Sequence, residues 1–317
     1  MKHLLSLETM PREDLELVLR NAAAFKSRRG HDDRQPLAGQ TWAMIFSKSS
    51  TRTRVSFEVG IHEMGGRPLF LNANDIQLGR GEPIKDTARV LGRMVHGAVI
   101  RTFAQSDVED FAKFSGIPTV NALTDDEHPC QILTDIFTFQ ELRGSIAGKV
   151  VTFVGDGACN VPQSWIFAAA KLGFELRIAA PKAFQPSADV LKRAGGRVTC
   201  TEDIRAAAAG ADLLYTDVWV SMGEADDVWK QRIDQLLPFQ VNTALMKATG
   251  KPRTRFMHCL PAFHNLDTEV GRQVHERYGL KEIEVTDEVF ESDASIVFTQ
   301  AENRLHTIKA VLVATLA

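Results

Sequence analysis

The chain alternates between two hydrophobic rhythms. Short apolar runs at 41–46 (TWAMIF), 67–72, 97–101 (GAVIR) and 118–123 have the length and composition of buried strands. Around them apolar residues recur at three- and four-residue spacing, over 55–64, over 85–94 and through Ile132, Ile136 and Phe139, which predicts helices. Gly65 and Gly66 stop the first of these, and Pro129 opens the last, which runs to Gly144. A further helix is predicted from Pro11 to about Phe25, with Glu13 and Asp14 in its first turn, before a polar loop over 28–40.

Glycines at 144 and 148 punctuate the chain, and from Lys149 the alternation restarts. Strands are predicted at 150–154, 176–180, 197–200, 212–215 and 255–258. Helices are predicted over 162–172 and 269–278, with a connector at 286–290 and a long terminal helix over 295–316. Repeated strand, loop and helix predict an α/β protein with doubly wound parallel sheets flanked by helices. Ligands in such sheets bind at the carboxyl ends of the strands. The length of 317 residues suits two domains of about 150 residues each.

Composition narrows the function classes. With a net charge of -3 the chain offers no basic field for nucleic acid, and no apolar run approaches the ~20 residues that span a bilayer. The N-terminal stretch turns acidic too early for a signal peptide. Cys130, Cys159, Cys200 and Cys259 form no C-x-x-C pair, so neither a zinc site nor a disulfide framework is indicated, and a reducing cytoplasm is the expected setting.

The candidate chemistry lies at the predicted strand ends. SKSSTRTRVSFE, 47–58, joins the first apolar strand to a helix start, where unpaired backbone N–H groups and the helix dipole favour an anion. Hydroxyls of Ser50, Thr51 and Thr53 and the guanidinium of Arg52, with Arg54 as a further candidate, would complete a phosphate cradle. An ordinary Ser/Thr cap followed by solvated arginines is the bland alternative. The segment 75–83 (DIQLGRGEP) reads as a mobile surface loop or a plain connector. Arg101 ends a strand as a pocket residue or an edge residue. His128 and Gln131 fall in a first helical turn, positioned either to polarise a carbonyl or simply to start a helix with His-Pro.

In the second half, Gly155-Asp156-Gly157 suggests a dinucleotide site but lacks the third glycine. Asn160 then either holds a polar ligand or caps a helix. Asp217 can hold an ammonium group, with Ser221 and Met222 lining the same pocket. Cys259 is a buried small hydrophobe or a thiol facing substrate.

With SSTRTR, HPCQ, DVWVSMG and HCLPA in this order, the chain resembles the aspartate/ornithine carbamoyltransferase family, its ornithine-specific members most closely, over essentially its whole length. The resemblance implies a carbamoyl phosphate domain at 1–142, an ornithine domain at 143–294, and a C-terminal helix, 295–317, returning to the first domain. It also implies a homotrimer with active sites shared between subunits. Carbamoyl phosphate would be bound by Ser50, Thr51, Arg52, Thr53, Gln77, Arg101, His128, Pro129, Cys130, Gln131, Cys259, Leu260 and Arg304. Gln77 would reach the site of a neighbouring subunit. Ornithine would be held by Asn160, Asp217, Ser221 and Met222. Arg101, His128 and Cys259 would act on the reacting atoms, with no cofactor and no metal. The implied reaction gives citrulline and phosphate, in arginine synthesis or, reversed, in arginine breakdown. Putrescine or an acylated ornithine as the amine, or an inactive regulatory relative, remain the alternatives.

Overall fold

The computed structural model describes residues 1–31, 34–220 and 226–316, and it divides into two compact units. The first comprises Met1–Ser145 and Ala301–Ala317, the second Ile146–Gln300.

In the first unit the order is α1 (Arg12–Ser27), β1 (Thr41–Phe46), α2 (Thr51–Glu63), β2 (Arg67–Asn72), α3 (Ile84–Leu91), β3 (Gly97–Arg101), α4 (Gln105–Ser115), β4 (Thr119–Leu123) and α5 (Pro129–Arg143). Its four strands are all parallel, in the order β2-β1-β3-β4. The winding reverses between β1 and β3, so the crevice for a ligand lies at the carboxyl ends of those two strands. Ser47 N–H closes that end by donating to the Arg101 carbonyl at 2.8 Å. Gly97 is required by packing, since a Cβ there would lie 2.5 Å from the buried Trp42 ring on the neighbouring strand.

Every residue of α5 from Pro129 to Phe139 is buried, including Thr134, Asp135 and Thr138. A helix buried all round must satisfy its polar side chains internally. Thr134 and Thr138 do so by donating back to the carbonyls one turn earlier, at 2.7 and 2.8 Å. Gln131 accepts from Arg304, and Thr138 from Asn303, both on the last helix, α13 (Val297–Ala314).

In the second unit the order is β5 (Val150–Val154), α6 (Asn160–Leu172), β6 (Glu175–Ala179), α7 (Ala188–Ala194), β7 (Val198–Thr201), α8 (Ile204–Ala208), β8 (Leu213–Thr216), α9 (Asp226–Leu236), α10 (Thr243–Ala248), β9 (Arg255–His258), α11 (Glu269–Tyr278) and α12 (Asp287–Phe290), after which α13 begins. Its parallel strands run β7-β6-β5-β8-β9, and the winding reverses between β5 and β8.

From Ala301 onward α13 belongs to the first unit, as the resemblance implies for the terminal helix. Lys26 of α1 donates to Asn303 at 2.8 Å, Lys309 is bound to Glu63 of α2, and Asn303 donates to Thr138 of α5 at 3.0 Å.

Helices α9 and α10 fall where the sequence predicts no helix, and four further elements differ from the sequence expectation. Helix α4 was not predicted: its buried face is Val108, Phe111, Ala112 and Ser115, spaced for a helix but diluted by charged neighbours. The expected loop at 75–83 contains two short 3-10 turns, Ala73–Asp75 and Gln77–Arg80. The expected connector at 286–290 is the short helix α12, which buries Val289 and Phe290. Helix α6 starts at Asn160, two residues before the proline taken as its opening, because proline is tolerated throughout a first turn. None of the described helices is long and apolar enough to cross a membrane.

Candidate active site

Ser50 is the N-cap of α2, and its hydroxyl accepts from the Thr53 N–H at 3.3 Å. That bond sets the first turn and leaves its remaining N–H groups directed outward from the carboxyl end of β1. Thr53 is buried, Arg52 half-buried and Thr51 exposed. Arg54 does not join them. It pairs with Glu58, one turn further along the helix, at 2.9 Å and lies over the Phe70 ring at 3.7 Å.

The buried Arg304 guanidinium, brought in by α13, donates to Thr53 Oγ1 at 2.7 Å and to Gln131 Oε1. Gln131 in turn donates from Nε2 to Asp135 Oδ1 at 2.7 Å. Asp135 thus holds the Gln131 amide with its oxygen towards Arg304, and the chain Asp135–Gln131–Arg304–Thr53 is continuous. Asp135 was not singled out in the sequence. Its signal was a carboxylate one helical turn after Gln131, where side chains share a helix face.

His128 caps α5 ahead of Pro129 and is buried. Burial, then the charges of Arg304 and Arg101, push its pKa well below the ordinary histidine value. At neutral pH it is an uncharged imidazole, which can donate to a carbonyl oxygen without adding a fixed positive charge. Cys130 turns inward: its thiol donates to the Asn121 carbonyl at 3.4 Å, and burial pushes it up to about 12. Pro129 is buried at the first helical position. Gln77 is exposed in the second 3-10 turn. Lys48, two residues past β1, is paired with Asp125 and lies 4.3 Å from the Phe103 ring centre. It lies in the same strand-to-helix turn as Ser50, and the sequence gives no sign of its pairing.

In the second unit the candidate residues lie at the carboxyl ends of β5, β8 and β9. Asp156 builds the turn after β5, accepting from the Ala158 N–H at 3.0 Å and pairing with Arg232. Asn160 follows as the first residue of α6, half-buried. After β8, Asp217 Oδ1 accepts from its neighbour's backbone, Val218 N–H, at 2.8 Å and from the Cys259 thiol at 2.9 Å. Burial raises the Asp217 carboxyl above its ordinary value, opposed by His258, the Cys259 thiol and the Val218 N–H. Ser221 and Met222 lie outside the described residues.

Cys259 follows β9. The buried His258 before it accepts at Nδ1 from the Leu260 N–H at 2.9 Å, which places the ring proton on Nε2, 3.2 Å from the buried Glu284. Leu260 has φ of 58°, a conformation costing an L-residue roughly 1–2 kcal/mol. The surroundings of Cys259 and Leu260 are thus fixed by a buried histidine–glutamate pair that sequence inspection passed over. The donor atoms of Asp217, His258 and Cys259 lie within 4.8 Å of one another, a set that a thiophilic divalent cation could also use.

Two family models cover the chain: the carbamoyl-P binding domain of aspartate/ornithine carbamoyltransferase matches residues 2–141, and the Asp/Orn binding domain matches residues 147–315. The chain belongs to the aspartate/ornithine carbamoyltransferase family. It is 50% identical to the ornithine carbamoyltransferase of Akkermansia muciniphila, over 100% of this chain and 98% of that protein. It is 47% identical to the catabolic ornithine carbamoyltransferase of Pseudomonas putida, over 100% of this chain and 97% of that protein. Among solved structures, the ornithine carbamoyltransferase of Pyrococcus furiosus superposes with a TM-score of 0.88 at 43% identity, covering 98% of this chain and 96% of that one.

Proposed function

We propose that this chain transfers the carbamoyl group of carbamoyl phosphate to the δ-amine of L-ornithine, giving citrulline and phosphate. The observation that supports this most directly is the buried Arg304 bonded to Thr53 at the mouth of an α2 N-terminus, an anion cradle of charge, hydroxyl and dipole together. Ser50, Thr51, Arg52 and Thr53 take the phosphate, with Arg304 behind them. Arg101, His128 and Gln131 face the carbamoyl carbonyl, and the backbone at Pro129 and Cys130 shapes that wall. Leu260 and Cys259 complete the carbamoyl phosphate set.

Asn160, Asp217, Ser221 and Met222 hold ornithine, Asp217 through an ammonium group. The neutral δ-amine attacks the carbonyl carbon, and charge gathers on the carbonyl oxygen, where Arg101, neutral His128 and Thr53 donate. The bond from carbon to the bridging oxygen then breaks. Phosphate departs with the electron pair and accepts the proton that the attacking nitrogen loses. The Cys259 thiol, which donates to Asp217 at 2.9 Å, orients the amine. The same arrangement serves citrulline formation in arginine synthesis and its phosphorolysis in arginine breakdown.

The working form is a homotrimer in a reducing cytoplasm. Exposed Val55 and Leu69 on α2 and on edge strand β2 support self-association of the first unit, and exposed Gln77 is available to a neighbouring subunit's site. Sedimentation giving a monomer would remove the trimer. The activity is tested by assaying citrulline with ornithine, against putrescine and N-acetylornithine as competing amines. Ornithine is expected to be preferred by orders of magnitude, and a preference for either competitor would overturn the assignment.

A further inference from the structure

The second sheet reverses its winding between β5 and β8, so its ligand crevice lies between the turns that leave those two strands. One turn carries Asp156 and leads to Asn160, and the other carries Asp217 and Trp219. A side chain from outside both turns spans them. Arg232 of α9 donates from Nε to the Trp219 carbonyl, just past Asp217, and from Nη2 to Asp156 Oδ2.

Packing puts the guanidinium there. Trp229, Ile233 and Leu236 recur at helical spacing on α9 and join Trp219 and Val220 in one buried cluster, which fixes the helix beside the crevice. Arg232 Cζ lies 5.1 Å from the centre of the Phe184 ring, in the 3-10 turn that follows β6. Three strand ends thus meet at one guanidinium.

The buried Asp156 uses both of its oxygens. Oδ1 accepts from the Ala158 N–H at 3.0 Å and shapes the turn into α6, while Oδ2 takes Arg232. The two turns pack closely, since a Cβ on Gly155 would lie 3.1 Å from Trp219 Nε1. Cys159, next to Asn160, senses both: burial pushes its thiol well up, the charges of Asp156 and Asp217 push it further, and Arg232 opposes them.

We propose that Arg232 is a positioning residue for the amine substrate, its guanidinium latching the β5 turn to the β8 turn and so setting the spacing between Asn160 and Asp217. The latch rests on the amine-binding role proposed for those two residues, and Arg232 itself touches no substrate. A planar fork holds two acceptors at one separation, which the single ammonium of lysine cannot do. Without it the buried Asp156 carboxylate loses its cation and the Trp219 carbonyl loses that donor. Amine binding then suffers, while the phosphate cradle, built in the other unit, keeps its contacts.

Steady-state kinetics on the full chain test this, with wild type, Arg232→Lys, Asp156→Asn and the double variant, each checked by circular dichroism. Asp156→Asn keeps an oxygen for the Ala158 N–H and loses the charge that Arg232 pairs with. In both single variants KM for ornithine is expected to rise roughly 10- to 100-fold. KM for carbamoyl phosphate is expected to stay within about twofold of wild type. The double variant should be no worse than the weaker single variant, because both changes cut one latch. Equal rises in the two KM values, an unchanged ornithine KM, or additive losses in the double variant would each overturn the proposal. If the wild type prefers another amine, the ornithine assignment fails, and the same comparison with that amine decides the latch separately. Deuterium exchange needs no substrate. Peptides covering 156–160 and 217–219 should exchange faster together in Arg232→Lys, and a gain confined to one turn, or to neither, would overturn the latch.

Discussion

Arg304 and Thr53 are 251 positions apart and joined by a buried hydrogen bond of 2.7 Å. The guanidinium comes from the last helix and the hydroxyl from the first turn of α2, so the anion cradle closes only when the chain's end has packed onto its beginning. The second arm of the guanidinium goes to Gln131.

Arg304→Lys keeps the charge but loses the fork that spans Thr53 and Gln131. With charge-assisted bonds worth about 1.5–3 kcal/mol each, KM for carbamoyl phosphate should rise roughly 10- to 100-fold. Initial rates at saturating ornithine check this, and a Tm within a few degrees of wild type separates binding from unfolding.

Asp135 acts through Gln131, as a positioning residue. Asp135→Ala removes the acceptor that orients the amide, and kcat/KM should fall about tenfold, equivalent to about 1.4 kcal/mol. Asp135→Asn retains a side-chain oxygen in place and should restore much of the loss. If both variants lose activity equally, the carboxylate's charge, and not its acceptor geometry, is what matters.

At Asp217 burial lifts the native pKa above the ordinary 3.8. The native state therefore holds its proton to higher pH than the unfolded chain. The contribution to stability is complete below 3.8 and is lost as pH rises through the native value. Asp217→Asn should have a higher Tm than wild type at neutral pH, the gap closing as pH falls towards 3.8. Its kcat/KM for ornithine should drop by about two orders of magnitude, since an amide cannot match a carboxylate against an ammonium group.

His306 has the opposite sign. Its native pKa of about 4 lies below the ordinary 6.5, so the unfolded chain takes up a proton that the native state refuses. Stability present above 6.5 is lost as pH falls towards 4. Thermal melts of His306→Gln should decline less steeply than wild type across that window and run parallel to it below. Identical slopes would mean that His306 is protonated in the native state.

The hydrophobic rhythm alone carries the strands, since all nine among the described residues fall on predicted runs within a residue or so, and with them the α/β class. It could do so because a strand buried on both faces is nearly apolar throughout, a local property that holds for the central strands and weakens at the sheet edges β2 and β7. The residue types at the strand ends were equally local: hydroxyls and an arginine at a helix start, a histidine before a proline, an aspartate after β8. Which of those side chains face one another was not local. Arg54 and Arg52 are two residues apart in one motif, and only the helix rotation that buries Thr53 sends Arg54 out to Glu58. Glu284 beside His258 carries no signal in a single chain, because a carboxylate reads as surface until packing removes its water, and Asp135 under Gln131 carries only its one-turn spacing. Lys309 and Glu63, 246 positions apart, meet for the same reason. Partners distant in sequence are chosen by the packing of whole helices, and that packing exists only in three dimensions.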